Sequence, residues 1–344
     1  MAKLAGAIIE LVVLEEGPAG VLQRVSDPAW FQAMGCVLGF DWHSSGLTTT
    51  TCGAIKEGIR GEEENLGLFV AGGKGAASRK TPSEIASWGE KVGVDADRLT
   101  EASRTSAKVD SAAVQDGYQI YHHVFLFDCE ARWAVVQQGM NEENGMARRY
   151  HWLSSRVSDF VCEPHAAVCC DARDAALNLV ARESAGTRET SVALTQERPE
   201  GLIRELERLK RLTLRRRHEI LLSDISPERL HRTFIKTYEA HPGDFLDLLT
   251  ISGVGAKTLR ALSLIADLVH GETPSFEDPA RSGFAHGGKD GIPYPVDRVL
   301  YDRTIDLLDR AIRKAKLGQR EETNAIRRLH RFFDSVSEGD PSRR

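Results

Sequence analysis

Apolar residues change their spacing along the chain, first helical, then strand-like, then helical again. A long apolar stretch with a Gly-Pro interruption predicts a broken helix over residues 2–25. Aromatic and β-branched runs over 118–127 and 132–140 predict two strands, which a short polar turn joins as a β-hairpin. From Leu202 onwards the apolar residues return to the three- and four-residue spacing of helices.

A further predicted strand leads into a glycine-rich segment. The apolar run 66–70 is followed by glycines over 71–75, and the Thr-Pro-Ser-Glu sequence at 81–84 predicts a capped helix start. A loop between a strand and a helix can cradle a phosphate, although this spacing is not that of a P-loop. The alternative is a solvated basic loop. The candidate phosphate contacts are Lys74, Arg79 and Lys80.

Two other segments are predicted from residue type. The four consecutive threonines at 48–51 are poor helix formers, so they predict a strand or a loop. Residues 172–185 are rich in alanine and predict a helix. All these elements together predict the α+β class.

The predicted domain organisation follows the change in pattern. Residues 1–185 are expected to form a mixed domain with a small antiparallel β-sheet, and the polar range 186–201 to be a linker. Residues 202–335 are expected to form an all-α domain, followed by a disordered tail at 336–344.

Composition narrows the class of protein only slightly. The chain has 344 residues, enough for about two domains, with 41% hydrophobic and 28% charged residues, as in ordinary globular proteins. The net charge of −5 does not by itself indicate a nucleic-acid partner. Any DNA-binding face must therefore arise from local clustering of basic residues.

Cysteine spacing and hydropathy bear on location. The six cysteines include no CxxC pair of the kind that binds metals, which favours reduced thiols in a cytoplasmic protein. No apolar run is long enough to predict a membrane span.

Residues 248–259, Leu-Leu-Thr-Ile-Ser-Gly-Val-Gly-Ala-Lys-Thr-Leu, predict a helix, a tight glycine turn and a second helix. The first main-chain amides of the second helix and its positive end suit a nucleic-acid phosphate. Glycine permits both the positive φ of the turn and a close approach of the phosphate. The alternative is an ordinary corner between two helices. The candidate DNA contacts are Gly253, Val254, Gly255, Lys257 and Thr258.

Basic residues cluster at three other places. An arginine pair precedes the Tyr-His-Trp sequence, a pattern that suits stacking and phosphate contact. A basic stretch begins at Arg204, and a glycine-rich loop near residue 289 carries a lysine. A solvated surface is the alternative in each case. These clusters add the candidate DNA contacts Arg148, Arg149, Arg215, Arg216, Arg217 and Lys289.

Several polar side chains have no evident structural role. Asp41 and His43 flank Trp42, and His122 and His123 are adjacent in a predicted strand, so they must face opposite sides. Carboxylate, histidine and lysine are the groups that metal-assisted phosphodiester hydrolysis uses. The alternative for the first group is a hydrogen-bonded polar loop. A candidate nuclease site would combine Asp41, His43, Lys74, His122, Asp128 and Gln137.

The glycine turn and a segment downstream of it resemble the helix-hairpin-helix base-excision glycosylases. In both, a Gly-Val-Gly-x-Lys-Thr turn is followed by a Pro-Val-Asp segment that opens a helix, here at Asp297. The resemblance implies that Lys257 attacks the sugar C1′, and that Asp297 activates this amine and stabilises the cationic sugar. An amine nucleophile and a carboxylate suit an oxocarbenium-like centre.

Two features depart from the glycosylase pattern, which the chain matches over about residues 245–312. Lys257 and Asp297 are 40 residues apart, far more than in the glycosylases, and no cysteine cluster follows that could hold an iron–sulfur cluster. In the alternative interpretation, Asp297 is a helix N-cap.

The whole chain is similar to an uncharacterised prokaryotic family, a domain of unknown function that carries a helix-hairpin-helix. That family includes an earlier N-terminal segment with a Leu-Pro-Leu-His-Gly-Gly-like stretch, so Met1 is not necessarily the native start. The similar stretches are 39–51, 70–82, 118–123, 133–141, 148–152 and 284–298.

The sequence therefore predicts a DNA-binding, DNA-processing protein, with DNA as its partner and no membrane. The first hypothesis is a repair enzyme that acts on the base or sugar through Lys257 and Asp297. The second is a nuclease that uses Mg²⁺ or Mn²⁺ in the N-terminal domain, with the hairpin as a DNA anchor. The third is a non-enzymatic DNA-binding protein. No cofactor is assigned outright, and a monovalent cation at the hairpin is the remaining candidate.

Overall fold

A five-stranded antiparallel sheet lies at the centre of the protein, in the order β1-β3-β4-β5-β6, and β2 pairs with β7 beside it. The computed structural model describes residues 1–40, 44–170, 173–211, 225–280 and 298–338. Within these ranges the strands are β1 Leu68–Lys74, β2 Val114–Gln115, β3 Gln119–Asp128, β4 Trp133–Met140, β5 Ala147–Leu153, β6 Ala167–Cys169 and β7 Leu177–Asn178.

Helices surround the sheet, and the predicted α+β class is confirmed. The first six helices are α1 Ala2–Val25, α2 Pro28–Leu38, α3 Gly46–Gly58, α4 Glu63–Leu66, α5 Thr81–Val92 and α6 Ala96–Lys108. The later helices of the described ranges are α7 Ala185–Thr195, α8 Pro199–Leu209, α9 Pro227–Ala240, α10 Phe245–Thr250, α11 Ala256–His270, α12 Arg298–Lys314 and α13 Gln319–Glu338.

The β3–β4 hairpin forms where the sequence predicts it. Asp128 closes the turn, because its carboxylate accepts hydrogen bonds from the main-chain N–H groups of Glu130 and Arg132, both at 3.0 Å. Ala131 adopts a positive φ of 57° in this turn. The turn fixes the register of the two strands, in which Leu126 lies opposite Ala134.

The sheet separates two apolar cores. Phe125 belongs to a core that extends through α5 to α11, and the next residue, Leu126, belongs to a core formed with α1 to α3, α12 and α13. This alternation is what a two-sided strand requires. The last helix returns to the second one, where Arg328 donates to the carbonyl oxygen of Val37 at 2.8 Å. Helices from the C-terminal third thus contribute to both cores.

The prediction of a strand or loop at 48–51 is wrong, because these threonines lie in α3. The Thr49 and Thr50 hydroxyls donate to the carbonyl oxygen of Gly46 at 3.1 and 3.0 Å, so they bond within the helix. Thr48 and Thr51 are buried against the sheet. Packing of the helix therefore outweighs the weak helix propensity of threonine.

The segment around the predicted linker is ordered. The range 186–201 consists largely of α7 and the start of α8, and Arg188 donates to the carbonyl oxygens of Leu179 and Ala181, both at 2.7 Å. The helix predicted at 172–185 is wrong, since the described part of this range contains β7 and only a short 3₁₀ turn. The domain boundaries stay a prediction. Of the predicted disordered tail, 336–338 belong to α13, and the rest lies outside the described residues.

Candidate functional sites

Two helices and a glycine turn occupy the stretch 248–259. Asp244 caps α10, because its carboxylate accepts from the N–H of Asp247 at 2.8 Å. The chain then turns through Gly253, whose φ of +101° strongly favours glycine. Gly255 is extended and is the N-cap residue of α11. No side chain at the N-cap position therefore bonds to the first main-chain amides of α11.

The turn is fixed to the sheet half of the protein by three contacts. Val254 is buried, and its carbonyl oxygen accepts a hydrogen bond from the Lys108 ammonium group at the end of α6. Gln115 donates to the carbonyl oxygen of Ala256 at 2.9 Å and accepts from Arg260 at 2.8 Å. The turn is therefore part of the fold rather than a projecting loop.

The predicted DNA contacts of the turn separate into two groups. Gly253 and Lys257 are exposed, and Gly255 is half-buried with open space where a β-carbon would lie. Val254 and Thr258 are buried instead, and the N–H of Val254 already donates to the carbonyl oxygen of Ile251 at 3.1 Å. The predicted DNA contacts of Val254 and Thr258 are therefore wrong, because both side chains are buried and anchor the turn to the core.

A basic face on α9 lies beside the turn. A β-carbon at Gly253 would be 3.6 Å from the Thr233 hydroxyl oxygen, so α9 packs next to this glycine. Residues at spacings of three, four and seven share a helical face. Of the exposed basic side chains, Arg229 and Lys236 share the Thr233 face, and Arg232, three residues from Arg229 and four from Lys236, lies at its edge. They were not predicted from the sequence, although this spacing is the signal that identifies them.

Seven of the predicted site residues lie outside the described residues. Because Asp297 is one of them, the structure does not test the predicted pairing of Lys257 with Asp297. These residues are Asp41, His43, Arg215, Arg216, Arg217, Lys289 and Asp297.

The prediction that Arg148 contacts DNA is wrong, because this side chain is only 1% exposed. Its guanidinium group bridges two carboxylates, at 2.8 Å from Asp116 and 2.6 Å from Asp278. It also lies over the Tyr118 ring, 4.3 Å from the centroid. Arg148 thus ties β5 to the segment that follows α11.

Arg149 faces the opposite core and is also 1% exposed, so its predicted DNA contact is wrong as well. It donates to His151 Nε2 at 2.7 Å and to Gln32 Oε1 at 3.1 Å, and its guanidinium lies 4.7 Å from the Phe31 ring centroid. Burial, with the nearby Arg149 charge, holds the pKa of His151 well below its usual range. His151 is therefore a neutral acceptor for Arg149.

The glycine-rich segment is mostly strand rather than loop. Glu84 does not form the predicted capping box, because its carboxylate accepts from the N–H of Gly72 at 2.8 Å and pairs with Lys56 at 2.6 Å. A protein carboxylate therefore occupies the main-chain amide that was predicted to cradle a phosphate. The basic side chains of this segment, Lys74, Arg79 and Lys80, are exposed.

The predicted nuclease cluster is brought together only in part. Asp128 lies at the far end of β3 from His122, roughly 20 Å along the strand, and supports the hairpin. Gln137 lies on the other face of the sheet, where its side-chain oxygen bonds to His123 and its side-chain nitrogen donates to Asp110. Of the described members, Lys74 and His122 are direct neighbours across β1 and β3. Asp128 and Gln137 thus have structural roles in place of the predicted catalytic ones.

A buried hydrogen-bonded chain extends from Gln137 in both directions. The side-chain nitrogen of Gln137 donates to Asp110, and the side-chain oxygen of Gln137 lies 3.0 Å from His123 Nδ1. The other ring nitrogen of His123, Nε2, lies 2.8 Å from the Ser103 hydroxyl. Asp110 also accepts from Trp152 Nε1 at 2.9 Å and lies 2.5 Å from His165. Burial lowers the pKa of His123, so the neutral ring links β3 to α6.

His122, on the opposite face, lies in a different setting. Both of its ring nitrogens are buried and have no hydrogen-bond partner among the described residues. Next to it, Gln138 Nε2 donates to the Tyr121 hydroxyl at 2.6 Å and to the Ser45 carbonyl oxygen at 2.8 Å. Lys74 Nζ lies 5.7 Å from the centroid of the Tyr121 ring. The predicted candidate His122 therefore belongs to a polar group on β1, β3 and β4.

Neither a metal cluster nor a membrane helix is found in the part of the chain that the structure describes. No group of three or more His, Cys, Asp or Glu side chains there is arranged to hold a metal ion. No described helix is long and apolar enough to span a membrane. The Mg²⁺, Mn²⁺ and monovalent-cation sites stay predictions.

The fold is an antiparallel sheet between two helical cores, with a glycine turn fixed to the sheet half. The profile of the family described as "Protein of unknown function (DUF763)" matches residues 1–296, and the chain belongs to this family. No curated protein and no solved structure gives a significant match.

Proposed function

We propose that the protein binds DNA through the α10–α11 turn and the basic face of α9. The observation that carries this proposal is that Arg229 and Lys236 lie on the same face of α9 as Thr233, which packs beside Gly253, with Arg232 at the edge of that face. Main-chain amides at the start of α11 and the positive helix end suit one phosphate. The basic side chains would contact neighbouring phosphates.

Charge and exposure support the same surface. Lys257 is exposed in the first turn of α11, so its ammonium group extends the basic surface beyond α9. The acidic residues Glu228 and Glu239 lie at the border of the basic face, and Glu228 accepts from the Ser226 hydroxyl at 2.7 Å. These carboxylates limit the width of the surface, which favours a narrow contact along one phosphate backbone.

The test measures DNA affinity of the full chain by fluorescence anisotropy, with single- and double-stranded oligonucleotides at several salt concentrations. The variant Arg229→Ala/Lys236→Ala is compared with Lys91→Ala/Arg98→Ala, which removes two exposed basic residues from α5 and α6. We expect the first variant to lose about tenfold or more in affinity, with a salt dependence reduced by about one contact per residue removed. Equal losses in both variants, or no salt-dependent binding of the wild type, would contradict the proposal.

We infer that DNA processing at this surface uses the Lys257 amine. The support is its exposure within the turn that would hold a phosphate, which brings the amine next to the sugar of the same nucleotide. Borohydride trapping on DNA with an abasic site tests this directly. We expect a covalent complex with the wild type and with Lys236→Gln, and none with Lys257→Gln. Absence of a complex with the wild type would leave the binding proposal standing and remove the lyase step.

The proposal includes a cytoplasmic location. It is supported by the thiols, since none of the six cysteines, all within the described ranges, forms a disulfide bond. Fractionation of cells that produce the protein, with a periplasmic marker as control, tests this location.

A further inference from the structure

A β-bulge shapes the polar group around His122. Ile120 pairs with Gly139, and His122 pairs with Gln138, so Tyr121 is an extra residue in β3. A bulge redirects side chains and is often found next to functional sites. Here both Tyr121 and His122 meet Gln138: His122 is its partner across the strands, and the Tyr121 hydroxyl lies 2.6 Å from Gln138 Nε2.

Helix α3 crosses this part of the sheet. The Thr48 hydroxyl lies 3.5 Å from Arg149 on β5, and Lys56 donates to the carbonyl oxygen of Gly72 on β1 at 3.0 Å. Eight residues of helix span about 12 Å, which is close to the distance of about 14 Å across the strand spacings from β5 to β1. Thr51 lies between these contacts, three residues from Thr48 and five from Lys56, which places it over the inner strands β4 and β3.

Three side chains on this side of the sheet have buried polar atoms without a hydrogen-bond partner among the described residues, and two of them, His122 and Gln138, are paired across β3 and β4. The atoms are both ring nitrogens of His122, Oε1 of Gln138 and the Thr51 hydroxyl. Their side chains are at most 1% exposed. Buried polar groups are nearly always hydrogen-bonded, so these unpartnered atoms require an explanation. We refer to Thr51, Lys74, Tyr121, His122 and Gln138 as the bulge site.

The electrostatic character of the bulge site is positive at its edge and neutral inside. Burial, together with the nearby His123 and Lys74, lowers the pKa of His122 to about 4. The neutral ring thus offers one N–H donor and one acceptor. The carboxylate of Glu84 on α5 is paired with Lys56 and accepts from the Gly72 amide.

We propose that the bulge site binds a phosphate group. Lys74 supplies the charge at the exposed edge, and His122, Thr51 and the Tyr121 hydroxyl supply hydrogen-bond donors inside. Gln138 Oε1 accepts from a protonated phosphate oxygen, because the Gln138 amide nitrogen already donates to the Tyr121 hydroxyl and the Ser45 carbonyl oxygen. The ligand enters from the side of Lys74, which is exposed, and Tyr121, which is half-buried.

This proposal does not depend on DNA binding at the α10–α11 turn. His122 and Gln138 face the core formed by α1 to α3, whereas the turn belongs to the core on the other face of the sheet. A free phosphate, or the phosphate of a nucleotide, presents the same chemistry to the site. The two sources differ only in what is attached to the phosphorus, so they are distinguished by experiment.

The experiment is calorimetric titration of the full chain with inorganic phosphate, thymidine 5′-monophosphate and thymidine. In parallel, the His122 ring signals are followed by NMR against pH, with His122→Asn for assignment. We expect phosphate to bind and to raise the pKa of His122. We expect Lys74→Met and His122→Asn each to weaken binding by about tenfold, the loss of one charge-assisted hydrogen bond. Lys91→Met, an exposed lysine on α5, should bind phosphate as the wild type does.

The outcomes separate the possibilities. Tighter binding of the monophosphate than of inorganic phosphate supports a nucleotide ligand, and the reverse order supports free phosphate. Binding that is unchanged in Lys74→Met overturns the proposal, and this surface variant is expected to fold even where His122→Asn does not. No heat and no change in the His122 signals at millimolar phosphate also overturn it, and buried water then accounts for the three side chains.

Discussion

The Lys108 ammonium group at the end of α6 donates a hydrogen bond to the main-chain carbonyl oxygen of Val254 in the α10–α11 turn. The two residues are far apart in the sequence, and Gln115 makes a second connection of the same kind to Ala256. A π-helical turn at Val109–Ala113 lies between the two donors. The candidate DNA-binding turn is therefore positioned by the segment that follows α6.

Replacement of Lys108 by methionine should loosen the turn. The apolar stem is retained but the hydrogen bond to Val254 is lost, so we expect the free energy of unfolding to fall by about 1 kcal/mol. We also expect faster amide hydrogen exchange at Gly253 to Ala256, measured by mass spectrometry. Lys91→Met is the matched control, because Lys91 is exposed and lies over the Trp88 ring. Unchanged exchange in the turn would show that packing of Val254 alone positions it.

Arg148 should be among the most sensitive positions in the chain. Its replacement by methionine leaves the buried carboxylates of Asp116 and Asp278 without their shared cation. We expect a loss of about 3–5 kcal/mol in the free energy of unfolding, measured by urea denaturation.

A second variant tests the cause of that loss. Arg148→Met combined with Asp116→Asn removes one of the stranded charges, so it should recover part of the stability. Tyr150 would still donate its hydroxyl hydrogen to residue 116, as it does to Asp116 at 2.6 Å. The single variant Asp116→Asn is measured alongside. If Asp116→Asn lowers the free energy of unfolding by the same amount in the Arg148→Met protein as in the wild type, packing rather than charge explains the loss.

The features that could be predicted from the sequence are those set by neighbouring residues. The β3–β4 hairpin and the opposite orientations of His122 and His123 follow from strand alternation and from a polar turn. The positive φ of Gly253 likewise follows from a local requirement of the backbone. Each of these depends on a few consecutive residues, and the structure agrees with each.

The features that could not be predicted depend on partners far along the chain. Arg148 and Arg149 resemble a surface cluster until Asp116, Asp278 and Gln32 surround them. The threonine run becomes helical because the sheet covers one side of it. The basic face of α9 was accessible to prediction, but its residues are spaced along a helix and are less conspicuous than consecutive arginines.

Stability should fall as the solution becomes acidic, in part because of His122. Its pKa is lowered to about 4 in the folded protein, whereas a histidine in the unfolded chain titrates near about 6.5. The unfolded state thus binds more protons between these values. Stability is therefore lost as pH falls through this window, by up to about 1.4 kcal/mol per pH unit from this residue.

The contribution of His122 is isolated by comparison with His122→Asn. The pKa values of His123 and His151 are also lowered, but both residues remain in the variant. We therefore expect urea denaturation curves of the variant, recorded at several pH values, to depend less on pH than those of the wild type. Parallel pH dependences would mean that the His122 ring is already protonated, or solvated, in the folded state.

The two glycines of the turn should respond differently to alanine. At Gly253 the φ of +101° strains any side chain, so Gly253→Ala is expected to lower the free energy of unfolding by about 1–2 kcal/mol. Gly255 is extended, with open space around its β-carbon position. Gly255→Ala should therefore leave stability unchanged or raise it by about 0.5 kcal/mol.

For DNA binding, in contrast to stability, we expect the Gly255→Ala variant to be impaired. If a phosphate approaches the first amides of α11, a methyl group at residue 255 lies between the phosphate and the backbone, so Gly255→Ala should weaken DNA binding by several-fold while remaining fully folded. Thermal unfolding and fluorescence anisotropy on the same samples measure both quantities. A Gly255→Ala protein that binds DNA as tightly as the wild type would remove the α11 N-terminus from the interface and leave the basic face of α9 as the contact.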